Sequence, residues 1–355
     1  MAATLHRDTA LIADEAEASR LHNKGCYCEP QSGGSLRLNL LEALYLYESE
    51  RVAILGTEGK EMSFGELVTY ASRRIPDFEI RYIVYSDMRG RGLIVNLADS
   101  ASGGIDFHLY RRGDTPKTAS PHAFVIAISE RHVFDLDYLF SLSAGAAGTG
   151  KEVILAIVDE EGDITHYRMK VRELHPGAGE RHGRIYGGIL LSDRVLIPLQ
   201  SDAEELHSSG FYGNRLGTGL QISMVEAAYL ARRKALKLVN ARTGRTASFS
   251  TVLDMSARLD PAFREKMTVY EDMKDHGFIV KTGFKYGSHF RAYDGDPEKT
   301  HAKYLVHAVS PGYVSTWPEI SRAVRLAHGV RKEILFARAS PDRRTEYLEL
   351  RRHIL

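Results

Sequence analysis

Tyr85-Ser-Asp-Met-Arg-Gly-Arg-Gly-Leu-Ile-Val95 returns later in the chain as Tyr270-Glu-Asp-Met-Lys-Asp-His-Gly-Phe-Ile-Val280, displaced by 185 positions. The match extends outward in both directions. Upstream, Leu21, His22, Gly25 and Tyr27 correspond to Leu206, His207, Gly210 and Tyr212, and Ser63-Phe64 to Ser248-Phe249. Downstream, Lys151-Glu-Val-Ile-Leu-Ala corresponds to Lys332-Glu-Ile-Leu-Phe-Ala. Self-similarity at one long period is the signature of a duplicated unit, because each copy must satisfy the same core. The first repeat is placed at 1–174, with subdomains 1–75 and 76–174. The second is placed at 186–355, with subdomains 186–260 and 261–355. The turn-rich stretch 175–185, beginning His175-Pro-Gly-Ala-Gly-Glu, offers little to bury and is the expected linker.

Local signals repeat with the copies. Asn39 with Glu42, Ser63 with Glu66, and Ser223 with Glu226 have the spacing of reciprocal helix N-caps ahead of apolar runs. Gly277 is expected just past a helix end, where a residue without a β-carbon takes the left-handed conformation easily. Strands are expected at 278–282, 289–293, 304–309 and from 333, with a helix over about 318–330 between the last two. The fold class is mixed α/β (α+β). Each repeat is expected to have a small α/β N-terminal subdomain and a sheet-centred C-terminal one.

Composition narrows the function classes. Of 355 residues, 43% are apolar and 26% charged, as in a globular protein, and 47 basic against 46 acidic residues leave a net charge of +1. No whole-molecule field attracts a polyanion, so a nucleic-acid surface has to be local. The two cysteines, Cys26 and Cys28, are too close for an ordinary disulfide and are expected as free thiols. No apolar run is long enough to span a membrane, and a cytoplasmic setting is expected. Gly145-Ala-Ala-Gly-Thr-Gly-Lys151 mimics a phosphate-binding loop, but Glu152 stands where the metal-binding hydroxyl belongs, and a strand should follow instead of preceding it.

The chemistry concentrates in the second copy. Gly283-Phe-Lys-Tyr-Gly-Ser-His-Phe-Arg-Ala-Tyr293 leads into Asp294-Gly-Asp-Pro-Glu-Lys-Thr-His301, and Val324-Arg-Leu-Ala-His-Gly-Val-Arg-Lys332 follows. Strand alternation sets Tyr293 on one face with His289 and Arg291, whereas Tyr286 reads as a turn residue. Cutting RNA with its own 2′-hydroxyl needs a base for that proton, an acid for the 5′-oxygen, and positive charge against the phosphorane. A free phenol titrates near 10, so a tyrosine base needs a cation beside it. Between Arg322 and Arg352 lie nine Arg or Lys against four Asp or Glu, a local cationic surface.

These runs resemble the tRNA-splicing (tRNA-intron) endonuclease family, and the resemblance covers the whole chain. It implies the archaeal form with two fused repeats per subunit, working as a homodimer. It implies Tyr293 as base, His301 as acid and Lys332 as charge stabiliser, with no metal and no cofactor. The expected products are a 2′,3′-cyclic phosphate and a 5′-hydroxyl. The implied substrate is precursor tRNA with a bulge-helix-bulge, whose unstacked base two arginines sandwich. Arg325 matches one of them, and Arg352, or alternately Arg351, the other.

The first copy holds Tyr110, His122 and Lys151 in the same order, though the resemblance implies a mainly structural role for it. An acidic loop there should dock on the partner chain, from Asp135 with Asp137 or from Asp159-Glu-Glu-Gly-Asp163. Two rival readings remain. One is a metal-dependent DNA nuclease built on Asp294, Asp296 and Glu298. The other is a non-catalytic RNA-binding assembly protein.

Overall fold

The computed structural model describes all residues except Cys28, Ser32, 99–102, Ala147, Pro176, 178–182, Pro341 and Arg343. The described residues form a mixed α/β protein with ten α-helices. They divide into two compact units. One comprises Met1–Val133, Ser141–Met169 and Arg352–Leu355, the other Phe134–Phe140 and Lys170–Arg351. Within the second unit the short segment 134–140 is held by Phe134, whose ring packs edge-on to Trp317 at 5.2 Å and tilted on Phe336 at 5.4 Å.

The element order repeats. In the first unit Ala2–His6 pairs antiparallel with Thr9–Ile12 and parallel with Ala53–Leu55. In the second unit Tyr186–Leu190 pairs in the same way with Arg194–Ile197 and Leu236–Asn240. Helices Leu40–Glu48 and Met224–Arg232 start on the expected reciprocal caps, Asn39 with Glu42 and Ser223 with Glu226, and Phe64–Ser72 starts on Ser63 with Glu66. Each cap satisfies amides at a helix start that have no partner inside the helix.

The motif that revealed the duplication builds the core of each unit. Helices Phe78–Gly90 and Phe263–Asp275 turn Tyr85 and Met88, and Tyr270 and Met273, fully inward. Tyr270 meets Tyr229 at 5.6 Å and Phe290 at 5.8 Å, and Tyr85 meets Phe107 at 6.0 Å. Gly92 and Gly277 then reverse the chain at φ +78° and +82°, which a side chain would oppose.

In the second unit the sheet order is Ile279–Thr282, Phe290–Tyr293, Tyr304–Val309, Glu333–Ala339, Thr345–His353. Only the Tyr304–Val309 and Glu333–Ala339 pair is parallel, and the helix Trp317–Gly329 makes its crossover. The first unit repeats this with Val95–Leu97, Phe107–Leu109, Ala123–Ser129 and Glu152–Val158. The glycine-rich run at 145–151 follows the helix Leu136–Ala146 and precedes the strand Glu152–Val158, the reverse of a phosphate-loop context. Cys26 is free and Cys28 lies outside the described residues. Among the described residues no helix is long and apolar enough to cross a membrane.

Candidate active site

The hairpin of Ile279–Thr282 and Phe290–Tyr293 has the register Ile279↔Tyr293, Lys281↔Arg291. Alternation sends Phe290 and Ala292 into the core with Tyr304 and Val306. Arg291 and Tyr293 therefore share the opposite face. Arg291 anchors its Nε on the carbonyl of Thr282 at 2.9 Å. Its guanidinium lies 5.7 Å from the centre of the Tyr293 ring and 5.9 Å from that of Tyr286. Tyr293 is buried, whereas Tyr286 sits half-buried in the 3-10 turn Phe284–Tyr286.

Lys332 reaches this face from the far side of the crossover. Arg331 turns the chain at φ +54°, and the Lys332 amide donates to Ala327 O at 2.9 Å. Lys332 Nζ donates to Val330 O at 3.2 Å and lies 5.6 Å from the centre of the Tyr286 ring, within range of a cation–π attraction. A continuous run of contacts, Lys332 to Tyr286 to Arg291 to Tyr293, thus joins two residues 39 positions apart in the chain.

His301 lies in the connection between two strands. Asp296 folds that connection by accepting from the amides of Lys299 and Thr300 through its carbonyl and from Glu298 through its carboxylate. His301 is exposed there, just ahead of the strand Tyr304–Val309. At the strand start Lys303 N donates to Ala292 O at 2.9 Å, one residue out of the register Ala292↔Tyr304. This is a β-bulge, a local insertion that re-aims side chains at sheet edges. Lys303 pairs there with Asp294 at 3.4 Å. Sequence reasoning missed Lys303, which only a register can reveal. It did put Arg291 on the polar face, but not as the link between two tyrosines.

The other expected residues are more dispersed. Arg325 is exposed on the helix Trp317–Gly329, whose buried side carries Trp317, Ile320, Val324 and Ala327. Alternation along Thr345–His353 sets Arg352 on the side of Leu350 and Arg351 on the side of Glu349. In the first unit His122 N donates to Leu109 O, out of the register Leu109↔Ala123. The same bulge therefore makes His122 the counterpart of Lys303, not of His301, which corrects the correspondence suggested by residue order. Of the carboxylates proposed for a metal, Asp294 pairs with Lys303 and Asp296 with Lys299 at 3.1 Å, while Glu298 stands 4.0 Å from His207. Among the described residues no three His, Cys, Asp or Glu side chains group as ligands do.

Asp137, a candidate for the docking loop, is engaged within the second unit. Arg338 grips one of its oxygens at 2.5 Å, and the Gly312 amide donates to the other at 2.8 Å. Arg338 thereby holds the Asp137 carboxyl below the usual carboxylate range.

Two family models match the chain twice each. The tRNA intron endonuclease N-terminal domain matches residues 1–68 and 186–253, and the catalytic C-terminal domain matches 78–166 and 263–347. The chain is 36% identical to a tRNA-splicing endonuclease of Methanococcoides burtonii, with 99% of each chain covered. It is 35% identical to the same enzyme of Methanosarcina acetivorans, again over 99% of both. It is 30% identical to that of Haloferax volcanii, over 94% of both. Each domain thus matches once in each copy of the duplicated mixed α/β unit. The chain belongs to the tRNA intron endonuclease family.

Proposed function

We propose that the protein excises introns from precursor tRNA by cutting both bulges of a bulge-helix-bulge without a metal ion. The observation that carries this reading is the contact run from Lys332 through Tyr286 and Arg291 to Tyr293. Tyr293 takes the 2′-hydroxyl proton as the O2′–P bond forms. His301 donates a proton to O5′ as the P–O5′ bond breaks, and Lys332 opposes the charge that builds on the phosphorane. The products are a 2′,3′-cyclic phosphate and a 5′-hydroxyl. Arg291 and Lys332 supply the positive charge on this face.

Arg325 and Arg352 are assigned to the unstacked bulge base, since a flat guanidinium stacks on a base and also pairs with phosphate. The first repeat, 1–174, is mainly structural and the chain works as a homodimer, so two second-repeat sites face two cuts. The acidic run assigned to the partner chain is Asp135 with Asp137 or the turn Asp159–Asp163; Arg338 holds Asp137 in the one and Arg131 holds Glu160 in the other. Two of the three carboxylates a metal mechanism would recruit, Asp294 and Asp296, are engaged with lysines, which favours the metal-free reading.

The test is cleavage of a minimal bulge-helix-bulge RNA in excess chelator, with analysis of the product ends. Cyclic phosphate ends formed at the parental rate support the proposal. Loss of cutting on chelation, or 3′-hydroxyl ends, would replace it with the metal-dependent reading.

A further inference from the structure

The turn that carries Tyr286 also carries a side chain with no role in this scheme. Phe284 is 84% exposed, more than any other described phenylalanine, tyrosine or tryptophan. A single exposed apolar side chain is ordinary, so exposure alone decides nothing. What distinguishes Phe284 is how it is held. Gly283 N donates to His289 O at 3.0 Å, Tyr286 N to Gly283 O at 2.8 Å, and Gly287 N to Phe284 O at 3.1 Å. A β-carbon on Gly283 would come within 2.2 Å of Ser288 Oγ, so the turn closes tightly on the strand that follows. Gly287 completes it at φ +63°. The turn therefore presents the Phe284 ring to water on a fixed backbone.

Its surroundings suit one kind of ligand. Lys285 is the next residue and is exposed, and the five residues Gly283–Gly287 include no acid. Tyr286 lies against the face that holds Tyr293 and Lys332, so a chain cut at that face has its neighbouring nucleotides within reach of the turn. A flat ring beside a mobile cation is how proteins hold unpaired nucleotides, the ring by stacking on any base and the cation by meeting the backbone.

We infer that the turn Gly283–Gly287 is a nucleotide platform: Phe284 stacks on the unpaired base next to the scissile phosphate, and Tyr286 positions Lys332 through its ring. The inference rests on the proposed RNA cleavage, but its two parts have readouts of their own. Tyr286 acts through Lys332 and is a positioning residue, so its aromatic ring matters and its hydroxyl does not.

The experiment pairs variants of the full chain with a bulged RNA and the same RNA made abasic at the unpaired nucleotide beside the cut. Phe284→Ala should raise the half-saturating enzyme concentration about tenfold and leave the saturating single-turnover rate within about twofold. Phe284→Trp should restore binding. The abasic RNA should cost the parent the same factor and cost Phe284→Ala nothing further. Additive losses would show that the ring and the base do not meet, and would overturn the platform.

Tyr286→Leu should lower the saturating rate about tenfold at unchanged half-saturation, whereas Tyr286→Phe keeps the parental rate. Equal losses in Phe and Leu would assign the work to the hydroxyl and overturn the positioning role. If the parent cuts no bulged RNA, the cleavage reading fails, while binding of the intact and abasic RNAs still tests the platform.

Discussion

The two copies of the duplicated unit carry the same lysine at the same place and use it differently. In the second unit the Lys332 ammonium lies 5.6 Å from the Tyr286 ring, in the run of contacts that ends at Tyr293. In the first, the Lys151 ammonium lies 4.7 Å from the ring of Phe124, a residue of the sheet itself. Register explains the change. Arg291↔Leu305 in the second unit corresponds to His108↔Phe124 in the first. An imidazole packed 5.4 Å from a phenyl ring therefore replaces an arginine paired with leucine. His122 meanwhile occupies the bulge position of Lys303, and burial lowers its pKa below the ordinary value. Three chemical groups in the same order along the chain do not make the same site, because the neighbours that aim them have changed.

The largest expected effect breaks this comparison most directly. Lys332→Ala should lower the single-turnover rate of RNA cleavage by about a thousandfold, roughly 4 kcal/mol of transition-state stabilisation, with RNA affinity little changed. Lys151→Ala should stay within about threefold of the parent. Rates measured beside filter binding decide it, and comparable rate losses in both variants would mean that the first copy also cuts.

Acid should separate the two units next. In the second unit burial pushes both His289 and His307 down to about 4, and their rings lie 5.7 Å apart. Their counterparts in the first unit are Asp106 and Ile126, and the histidines that burial lowers there are His122 and, to about 4, His166. Above pH 6.5, the ordinary value, these histidines are neutral folded or unfolded and contribute no pH dependence. Below it the unfolded chain takes up protons first. Stability is lost as pH falls from 6.5 toward 4, by at most roughly 3 kcal/mol per histidine. Hydrogen exchange across that interval should show the Tyr304–Val309 strand losing protection before Ala123–Ser129. His307→Phe, which keeps a ring against Phe336, should delay that loss, and an unchanged midpoint would remove His307 from the account.

The smallest effect sharpens the comparison in the N-terminal subdomains. Ser223→Ala and Asn39→Ala each remove a helix cap and should cost about 1 kcal/mol in chemical denaturation. Glu226→Ala should cost more than Ser223→Ala, because Glu226 also accepts from the Gly213 amide at 2.9 Å and stands 4.0 Å from Lys281. Equal costs would mean that those extra contacts add nothing.

Much of the fold was legible because local rules and the repeat agreed. The capping boxes at Asn39, Ser63 and Ser223, the glycine after each long helix, and the apolar strands all follow from side-chain spacing. Tyr293 was legible as a residue of a polar strand face, since alternation has a period of two. The bulge at Lys303 was not, because an extra residue in a ladder leaves no mark on composition or spacing. Nor was the capture of Asp137 by Arg338, a contact across 201 positions.

The duplication, the element order and the residue types available for chemistry are written in the chain, because they depend on periodicity and on which side chains can be buried. That Lys332 meets Tyr286, that Lys151 meets Phe124 and that His122 stands where Lys303 does are outcomes of folding. Those outcomes depend on register between strands, which hydrogen bonds among distant segments fix and no local stretch of sequence can encode.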